Sequence, residues 1–208
     1  MVKVPDPFAS IRENGPFRTI LIDPPWRFRN RTGKIAPEHK RLRRYSTLSI
    51  KDIQDIPVGE FADKTCHLYL WCPNALLPDA LGVIAHWGFE YKTNLIWCKI
   101  RKDSRPDRRG VGFYFRNVTE MLLFAIKGKI RTSDAARSQE NFIAAQKQEH
   151  SRKPPMMREI IEKCSYAPRL EMYAREQAPG WFCWGDESET YAMTRKVHRT
   201  YRGNGEGL

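Results

Sequence analysis

Several features of common protein classes are missing from this sequence. No apolar run approaches the roughly 20 residues that a helix needs to cross a bilayer, and residues 1–10 lack the apolar core of a signal peptide. The five cysteines are odd in number and contain no Cys-x-x-Cys pair, which argues against both a disulfide framework and a zinc site. We therefore expect a soluble, cytoplasmic protein with no membrane association and no bound metal, whose cysteines are small buried hydrophobic residues.

The Gly-x-Gly-x-x-Gly fingerprint of dinucleotide sites is absent too. Acidic residues are few, with 24 Asp and Glu against 36 Lys and Arg, which gives a net charge of +12. Such an excess attracts polyanions, above all nucleic acid, although a basic enzyme without such a partner would show the same total. We favour nucleic acid because the basic residues concentrate in two predicted loops, with eight of them in 27–44 and five in 101–109.

Strand and helix patterns alternate along the chain, which predicts an α/β domain with a mostly parallel sheet. Strands are predicted at 18–23, 66–72, 90–99, 119–127, 169–174 and 181–184. Helices are predicted from Ser49 to Asp55, from Asn74 to about His86 and from Pro154 or Pro155 to Cys164. We expect an irregular N-terminal arm at 1–16, one domain at 17–188 and a basic, glycine-containing tail at 189–208. The long segments 27–46, 101–117 and 129–153 are predicted as loops, the last with some helix.

One short segment carries most of the functional information. The apolar run Thr19–Ile22 ends abruptly in Asp23-Pro24-Pro25-Trp26, because proline cannot continue a buried strand. An acid, two rigid carbonyls and a large aromatic ring therefore stand at the carboxyl end of a strand, where open α/β sheets bind ligands.

This arrangement suits methylation of an exocyclic amino group on a base, whose nitrogen is a poor nucleophile unless both hydrogens are held by acceptors. Asp23 supplies a carboxylate and Pro24 a carbonyl, which Pro25 presets by restricting Pro24 to extended geometry. Trp26 offers a face on which a flipped-out base can stack, and Asp23 or a water that it holds can take the released proton. The motif alone is equally compatible with a strand-ending turn and a buried tryptophan.

Further segments follow in a fixed order and strengthen the functional interpretation. They are Leu68-Tyr69-Leu70-Trp71, residues 94–99 ending in Trp97-Cys98-Lys99, residues 120–128 ending in Lys127-Gly128, Ser151-Arg152-Lys153-Pro154, residues 170–175 and residues 181–187. With the motif at Asp23, this series resembles the MT-A family of adenosine N6-methyltransferases, named for a seventy-kilodalton subunit, and in particular its compact bacterial and phage-type members.

The resemblance covers roughly residues 17–187 and implies a Rossmann-like, mostly parallel, doubly wound fold that binds S-adenosylmethionine, with the catalytic motif preceding the main cofactor elements. It implies Asp23, Pro24, Pro25 and Trp26 as catalytic residues. The residues implied to bind the cofactor are Asp23, Lys127, His150, Ser151, Lys153, Asp186 and Glu187. Many members have Asn where Asp186 stands, and the short segment before Asp23 leaves the site for the cofactor's adenine unassigned.

Substrate contacts are expected from the basic loops and from the residues near the matched strands. The predicted substrate-binding residues are Tyr45, Arg41, Arg43, Arg44, Lys99, Arg116 and Asn117. The aromatic tip Phe113-Tyr114-Phe115 can stack on bases or pack against the domain, and we favour packing.

The sequence therefore predicts transfer of a methyl group to adenine N6 in DNA, because small stand-alone members of the family resemble prokaryotic or phage DNA methyltransferases. The same reaction on RNA is the alternative. A second alternative is an inactive nucleic-acid-binding partner subunit, although such partners typically lose residues that this chain keeps. Methylation of a free nucleotide would leave the basic loops without a role. The oligomeric state stays open.

Overall fold

The computed structural model describes residues 6–27, 47–107, 114–147 and 152–185, which form a seven-stranded sheet with helices on both faces. The strands are β1 Phe17–Ile22, β2 Ala62–Cys72, β3 Glu90–Ile100, β4 Thr119–Lys127, β5 Phe142–Gln146, β6 Arg169–Met172 and β7 Phe182–Trp184. Their spatial order is β5-β3-β4-β2-β1-β6-β7. Only β4 among these strands pairs antiparallel, with β2 and β3. The predicted α/β, mostly parallel, doubly wound fold is thereby confirmed.

The described helices are short and mostly begin at residues that favour a helix start. They are α1 Ala9–Asn14, α2 Ile50–Gln54, α3 Val58–Phe61, α4 Leu77–His86 and α5 Pro155–Cys164. The helix predicted to begin at Ser49 is α2, and there Ser49 and Asp52 form a reciprocal capping box. Asn74, the predicted start of the next helix, instead begins a 3-10 turn at Asn74–Leu76, and its side chain donates to Thr119 Oγ1 at 3.0 Å.

The alternation of side chains along each strand divides the core into two layers. On β1, Ile20 and Ile22 pack with α1 to α4, whereas Leu21 packs on the other face with α5. Because both faces are covered, the central strands read as continuous apolar runs in the sequence. The buried face of α5 includes Met157 and Ile161, as the sequence predicts. Residue 23 continues the alternation toward the α5 face, which places Asp23 beside that helix.

Two predictions of irregular structure are wrong. In the predicted N-terminal arm, Ala9–Asn14 forms α1, whose Ile11 is buried in the core. In the predicted third loop, β5 adds a parallel strand to β3 at the edge of the sheet. Both elements are stabilised mainly by tertiary packing and pairing, which local propensity does not reveal.

All five cysteines are free, and all except Cys98 are buried. Burial raises the pKa of Cys66 to about 12 and that of Cys183 to about 11, so these thiols stay protonated, as expected for small hydrophobic residues. None of the helices that the structure describes is long and apolar enough to cross a membrane.

Candidate active site

The predicted catalytic motif leaves the carboxyl end of β1 and is held in place by its own backbone. The Trp26 N–H donates to the Pro24 carbonyl at 2.8 Å, which closes a tight turn. The Leu48 N–H donates to the Pro25 carbonyl at 2.8 Å, so the segment before α2 fixes the far side of the motif. Asp23 precedes this turn and stays partly exposed at the edge where β1, β2 and β6 end.

Trp26 does not offer a stacking face in this structure, contrary to the sequence-based expectation. Its side chain is 5% exposed and packs in the core layer of α1 to α4. Its indole N–H donates to the carbonyl of Trp71 at 2.8 Å, across to the end of β2. The ring therefore anchors the motif to the sheet, as the structural alternative for a strand-ending turn anticipates.

A line of alternating charges crosses the edge of the sheet from Asp23. Lys153 Nζ lies 2.9 Å from Asp23 Oδ2 and 3.8 Å from Glu120 Oε2. Lys99 Nζ lies 3.6 Å from the same oxygen of Glu120. Each lysine also lies over a tryptophan ring, Lys153 over Trp71 at 5.0 Å and Lys99 over Trp97 at 5.2 Å. We call Asp23, Lys153, Glu120 and Lys99 the charge line.

The two lysines of the charge line differ in protonation energetics. Desolvation alone lowers the pKa of Lys153, but the carboxylates of Asp23 and Glu120 together outweigh it and raise that pKa. For Lys99, desolvation prevails, with Lys153 acting in the same direction against Glu120, and the pKa is lowered. Lys153 is therefore held firmly as a cation beside Asp23.

A pocket opens between the carboxyl ends of β1 and β6 and the start of α5. Its lining includes Asp23, Trp71, Lys153, Arg158, Glu171 and Arg175. On its far wall, Arg158 Nη2 lies 2.9 Å from Glu171 Oε2, and Arg158 Nη1 lies 3.6 Å from Glu176 Oε1. Burial raises the pKa of Glu171, although Arg158 opposes the shift.

The pocket offers a carboxylate and an ammonium side by side, with side-chain exposures of 31% for Asp23 and 20% for Lys153. A ligand that ends in both a carboxylate and an ammonium group complements this pair, because each charge finds an opposite one. Its remaining part would lie toward β6, between Arg158 and Trp71. The donor set therefore fits the amino-acid end of S-adenosylmethionine.

The structure does not bring Lys127 to this site, which corrects its assignment to the cofactor. Lys127 is the last residue of β4. Because β4 runs antiparallel to β2, Lys127 lies at the end of the sheet opposite to the carboxyl ends of β1 and β2. It pairs with Cys66, which directly precedes His67 on β2, and His67 is level with Thr19, four residues or about 13 Å along the strand before Asp23. There its Nζ donates to the carbonyl of Gly59 at 2.8 Å.

The other predicted site residues fall into two groups. Lys99 lies in the charge line, while Arg116 and Asn117 are exposed just before β4 at the same edge. The remaining ones lie outside the described residues: Tyr45, Arg41, Arg43, Arg44, His150, Ser151, Asp186 and Glu187. Among the described side chains, no group of His, Cys, Asp and Glu could hold a metal ion.

Sequence reasoning missed Glu120, Trp71 and the Arg158–Glu171 pair. Glu120 and Trp71 enter the sequence comparison only as the first and the last residue of matched segments. An available signal was a charged residue near the beginning rather than the end of an apolar strand, since Glu120 is the second residue of β4. That signal becomes informative only once the direction of β4 is known.

Comparison with known proteins shows the family that this chain matches and several relatives. The family model MT-A70 matches residues 17–187. The Type II methyltransferase M.MunI of Mycoplasma sp is 28% identical over 187 residues, which cover 82% of this chain and 77% of M.MunI. The N6-methyladenosine RNA methyltransferase MTA1 of Cryphonectria parasitica is 30% identical, and the human N(6)-adenine-specific methyltransferase METTL4 is 27% identical, each over 183 residues. These alignments cover 82% of this chain in both cases, but only 51% of MTA1 and 37% of METTL4.

Proposed function

This chain belongs to the MT-A70 family, and from that premise we propose that it transfers a methyl group from S-adenosylmethionine to the N6 amino group of adenine in DNA. The observation that carries the proposal is the Asp23 carboxylate at the carboxyl end of β1, beside the fixed Pro24 carbonyl and 2.9 Å from Lys153. Three relatives whose names include methyltransferase or N6-adenine activity support the reaction class.

Asp23 and Pro24 supply the two acceptors that an exocyclic amine needs. Asp23 can accept one amino hydrogen through a carboxylate oxygen, and Pro24 can accept the other through the lone pair that Trp26 leaves unused. With both hydrogens held, the nitrogen lone pair is withdrawn from delocalisation into the ring and directed out of the ring plane, toward the methyl donor. The contribution of these residues is orientation, together with a nearby acceptor for the proton lost on transfer.

Lys153 and Glu120 complete the proposed site. S-adenosylmethionine supplies, when bound, an electrophilic methyl group on a sulfonium. Lys153 would hold the carboxylate of its methionine part, and Glu171, Arg158 or Arg175 would meet its more distant polar groups. Glu120 gives the Lys153 ammonium a second carboxylate partner. Lys153 can therefore leave Asp23 when Asp23 accepts a hydrogen bond from the adenine amine.

DNA is the favoured acceptor among nucleic acids. M.MunI, which the chain covers to 77%, is named a Type II methyltransferase, and the net charge of +12 suits a polyanion. The RNA alternative is supported by MTA1, which is named an RNA methyltransferase. The inactive-partner alternative is disfavoured because Asp23 and Lys153 are both present and lie in contact.

The test is product identification. The purified protein is incubated with labelled S-adenosylmethionine and equal amounts of adenine-containing DNA or RNA, the polymer is digested, and the labelled nucleoside is identified. N6-methyldeoxyadenosine is the expected product. N6-methyladenosine would replace DNA by RNA, and label on cytosine or on neither polymer would contradict the proposal. The Asp23→Asn protein, prepared in parallel, controls for contaminating methyltransferases.

A further inference from the structure

Two neighbouring aromatic side chains project into solvent beside the candidate active site. Tyr114 is 95% exposed and Phe115 is 86% exposed, which is far above the exposure of the other large hydrophobic side chains that the structure describes. The sequence-based expectation that this tip packs against the domain is therefore wrong for both residues. Contact of two adjacent apolar rings with water is unfavourable compared with their burial against a partner, which makes them candidates for a contact surface.

The rings stand on a segment that is tied to the charge line. The Lys99 N–H donates to the carbonyl of Val118 at 2.7 Å, and the Asp107 N–H donates to the carbonyl of Lys99 at 2.7 Å. Phe115 comes only three residues before Val118 and five before Glu120, so its Cα lies within about 18 Å of the Glu120 Cα. That distance corresponds to a few nucleotides of a nucleic-acid strand. The rings are therefore within reach of bases near the target base when that base reaches Asp23.

The surroundings of the rings are basic. The described parts of the segment between β3 and β4 carry Arg101, Lys102, Arg105 and Arg116, all exposed, against the acids Asp103 and Asp107. Asp103 and Arg101 pair at 2.7 Å and so compensate each other, and Asp107 is buried, so the described parts of the segment keep four basic against two acidic residues, a net charge of +2. Positive charge next to exposed aromatic rings is the combination by which proteins bind unpaired bases, since the cations hold phosphates while the rings stack on bases.

We propose that Tyr114 and Phe115 form a stacking platform for bases of the nucleic-acid strand that flank the target adenine. The platform takes the place of the target base as a stacking partner of its neighbours when the target leaves the stack, and it sets how the strand enters the site. The platform deepens the proposed function. It rests on that function only for the statement that the target base is adenine. A flat hydrophobic contact with a second copy of this chain would be expected to lack the surrounding positive charge.

The experiment pairs side-chain removal with base removal. Binding of single-stranded DNA oligonucleotides with one central adenine is measured by fluorescence anisotropy, with an RNA set of the same sequence run alongside. In a series of oligonucleotides, one flanking base at a time is replaced by an abasic residue. For Phe115→Ala we expect Kd to rise about ten-fold on the intact oligonucleotide, and Tyr114→Ala should act similarly. The slope of log Kd against log salt should not change, because no charge is removed.

The position series identifies stacking on a particular base. On the oligonucleotide that lacks the base contacted by Phe115, Phe115→Ala should cost little further affinity, whereas on the others it should cost the full ten-fold. Phe115→Trp keeps a stacking face and should keep wild-type affinity. The matched control is Phe142→Ala, which removes an exposed ring from the start of β5, four residues from the end of that strand; it should leave Kd unchanged.

Three outcomes would overturn the platform. Unchanged Kd in both alanine variants would exclude it, and an equal loss on every abasic oligonucleotide would exclude base stacking. A shift from dimer to monomer on sedimentation, without loss of affinity, would assign the rings to a contact between copies. Since binding is measured without methyl transfer, the platform can stand when N6 methylation is not found, and methylation can stand when the platform is not found.

Discussion

The two ends of the central strands treat polar groups in opposite ways. At the carboxyl ends of β1 and β2, the charge line keeps its ionised groups partly exposed. Toward the amino ends, on the same face of the sheet, His67, Tyr69 and Ser165 form a neutral cluster that is almost completely buried. The Ser165 hydroxyl lies 2.7 Å from His67 Nδ1 and 2.8 Å from the Tyr69 hydroxyl.

This contrast separates a site for chemistry from a site for stability. Burial lowers the pKa of His67 to about 4 and raises the pKa of Tyr69, so both stay neutral at ordinary pH. A buried polar group is stabilising only while it is hydrogen-bonded and uncharged, whereas an accessible charge costs less to keep and remains available to a ligand. Substitutions at the two ends should therefore affect different measurements.

The largest effect is expected from Asp23→Asn. Removing the carboxylate takes away an acceptor for the amine and for its proton, so kcat should fall about 10³-fold. The free energy of unfolding should change by about 1 kcal/mol or less, because the pair with Lys153 is partly exposed. Single-turnover kinetics and denaturant titration measure both quantities, and a variant that retains its turnover would remove Asp23 from the chemistry.

Low pH should lower the free energy of unfolding through His67, in the buried cluster toward the amino ends of the strands. Unfolded, His67 binds a proton below about pH 6.5, but in the folded chain only below about pH 4, so the unfolded state binds more protons between these values. Stability from this residue is complete above pH 6.5 and decreases as the pH falls toward 4, by roughly 3 kcal/mol in total. Denaturant titrations from pH 7 to 4 should show a shallower loss for His67→Gln. His86→Gln, at an exposed histidine, should follow the wild type; equal slopes for all three proteins would contradict the assignment.

Lys153 and Lys127 lie at opposite ends of the strands, so substituting each one tests directly which of them binds the cofactor. Lys153→Met should raise the Kd for S-adenosylmethionine about 10- to 100-fold, because a charged hydrogen-bond donor to its carboxylate is lost. Lys127→Met should leave that Kd unchanged and lower the free energy of unfolding by about 1 kcal/mol, because its bond to Gly59 is lost. Isothermal titration calorimetry distinguishes the variants, and the reverse result would restore Lys127 to the site.

The smallest effect is expected from Glu120→Gln. Glu120 raises the pKa of both Lys99 and Lys153, so its neutralisation lowers both. The alkaline limb of the pH profile of kcat/KM should move to lower pH, with at most a few-fold loss near pH 7. Glu60→Gln, at an exposed carboxylate far along the chain from this edge, is a suitable control. An unshifted alkaline limb would separate Glu120 from the protonation of the site.

The same contrast explains what could be predicted from the sequence. β1, β4 and α5 were predicted closely because continuous apolar runs and a helical stripe mark elements that are buried on both sides or on one face. β5 was missed because an edge strand with an exposed Phe142 lacks such a run.

The error at the site has a different physical origin. Lys127 and Lys153 are equivalent as isolated basic residues near matched segments. Which of them reaches Asp23 depends on the reversed direction of β4, and strand direction is set by pairing across the sheet rather than by residues within the strand. Exposure of Tyr114 and Phe115 is likewise a property of the fold, because an aromatic triplet reads the same whether it packs or projects.

The position of β6 has a consequence for the order of synthesis on the ribosome. β1 pairs with β2, which follows early in the chain, and with β6, which begins about 150 residues after β1 begins. While the ribosome is still making the segments in between, the second edge of β1 has no partner, and such an edge can pair with other chains. Lys153 emerges only a little before β6, so translation delivers Asp23 long before its ionic partner, and methyl transfer must await nearly the whole domain.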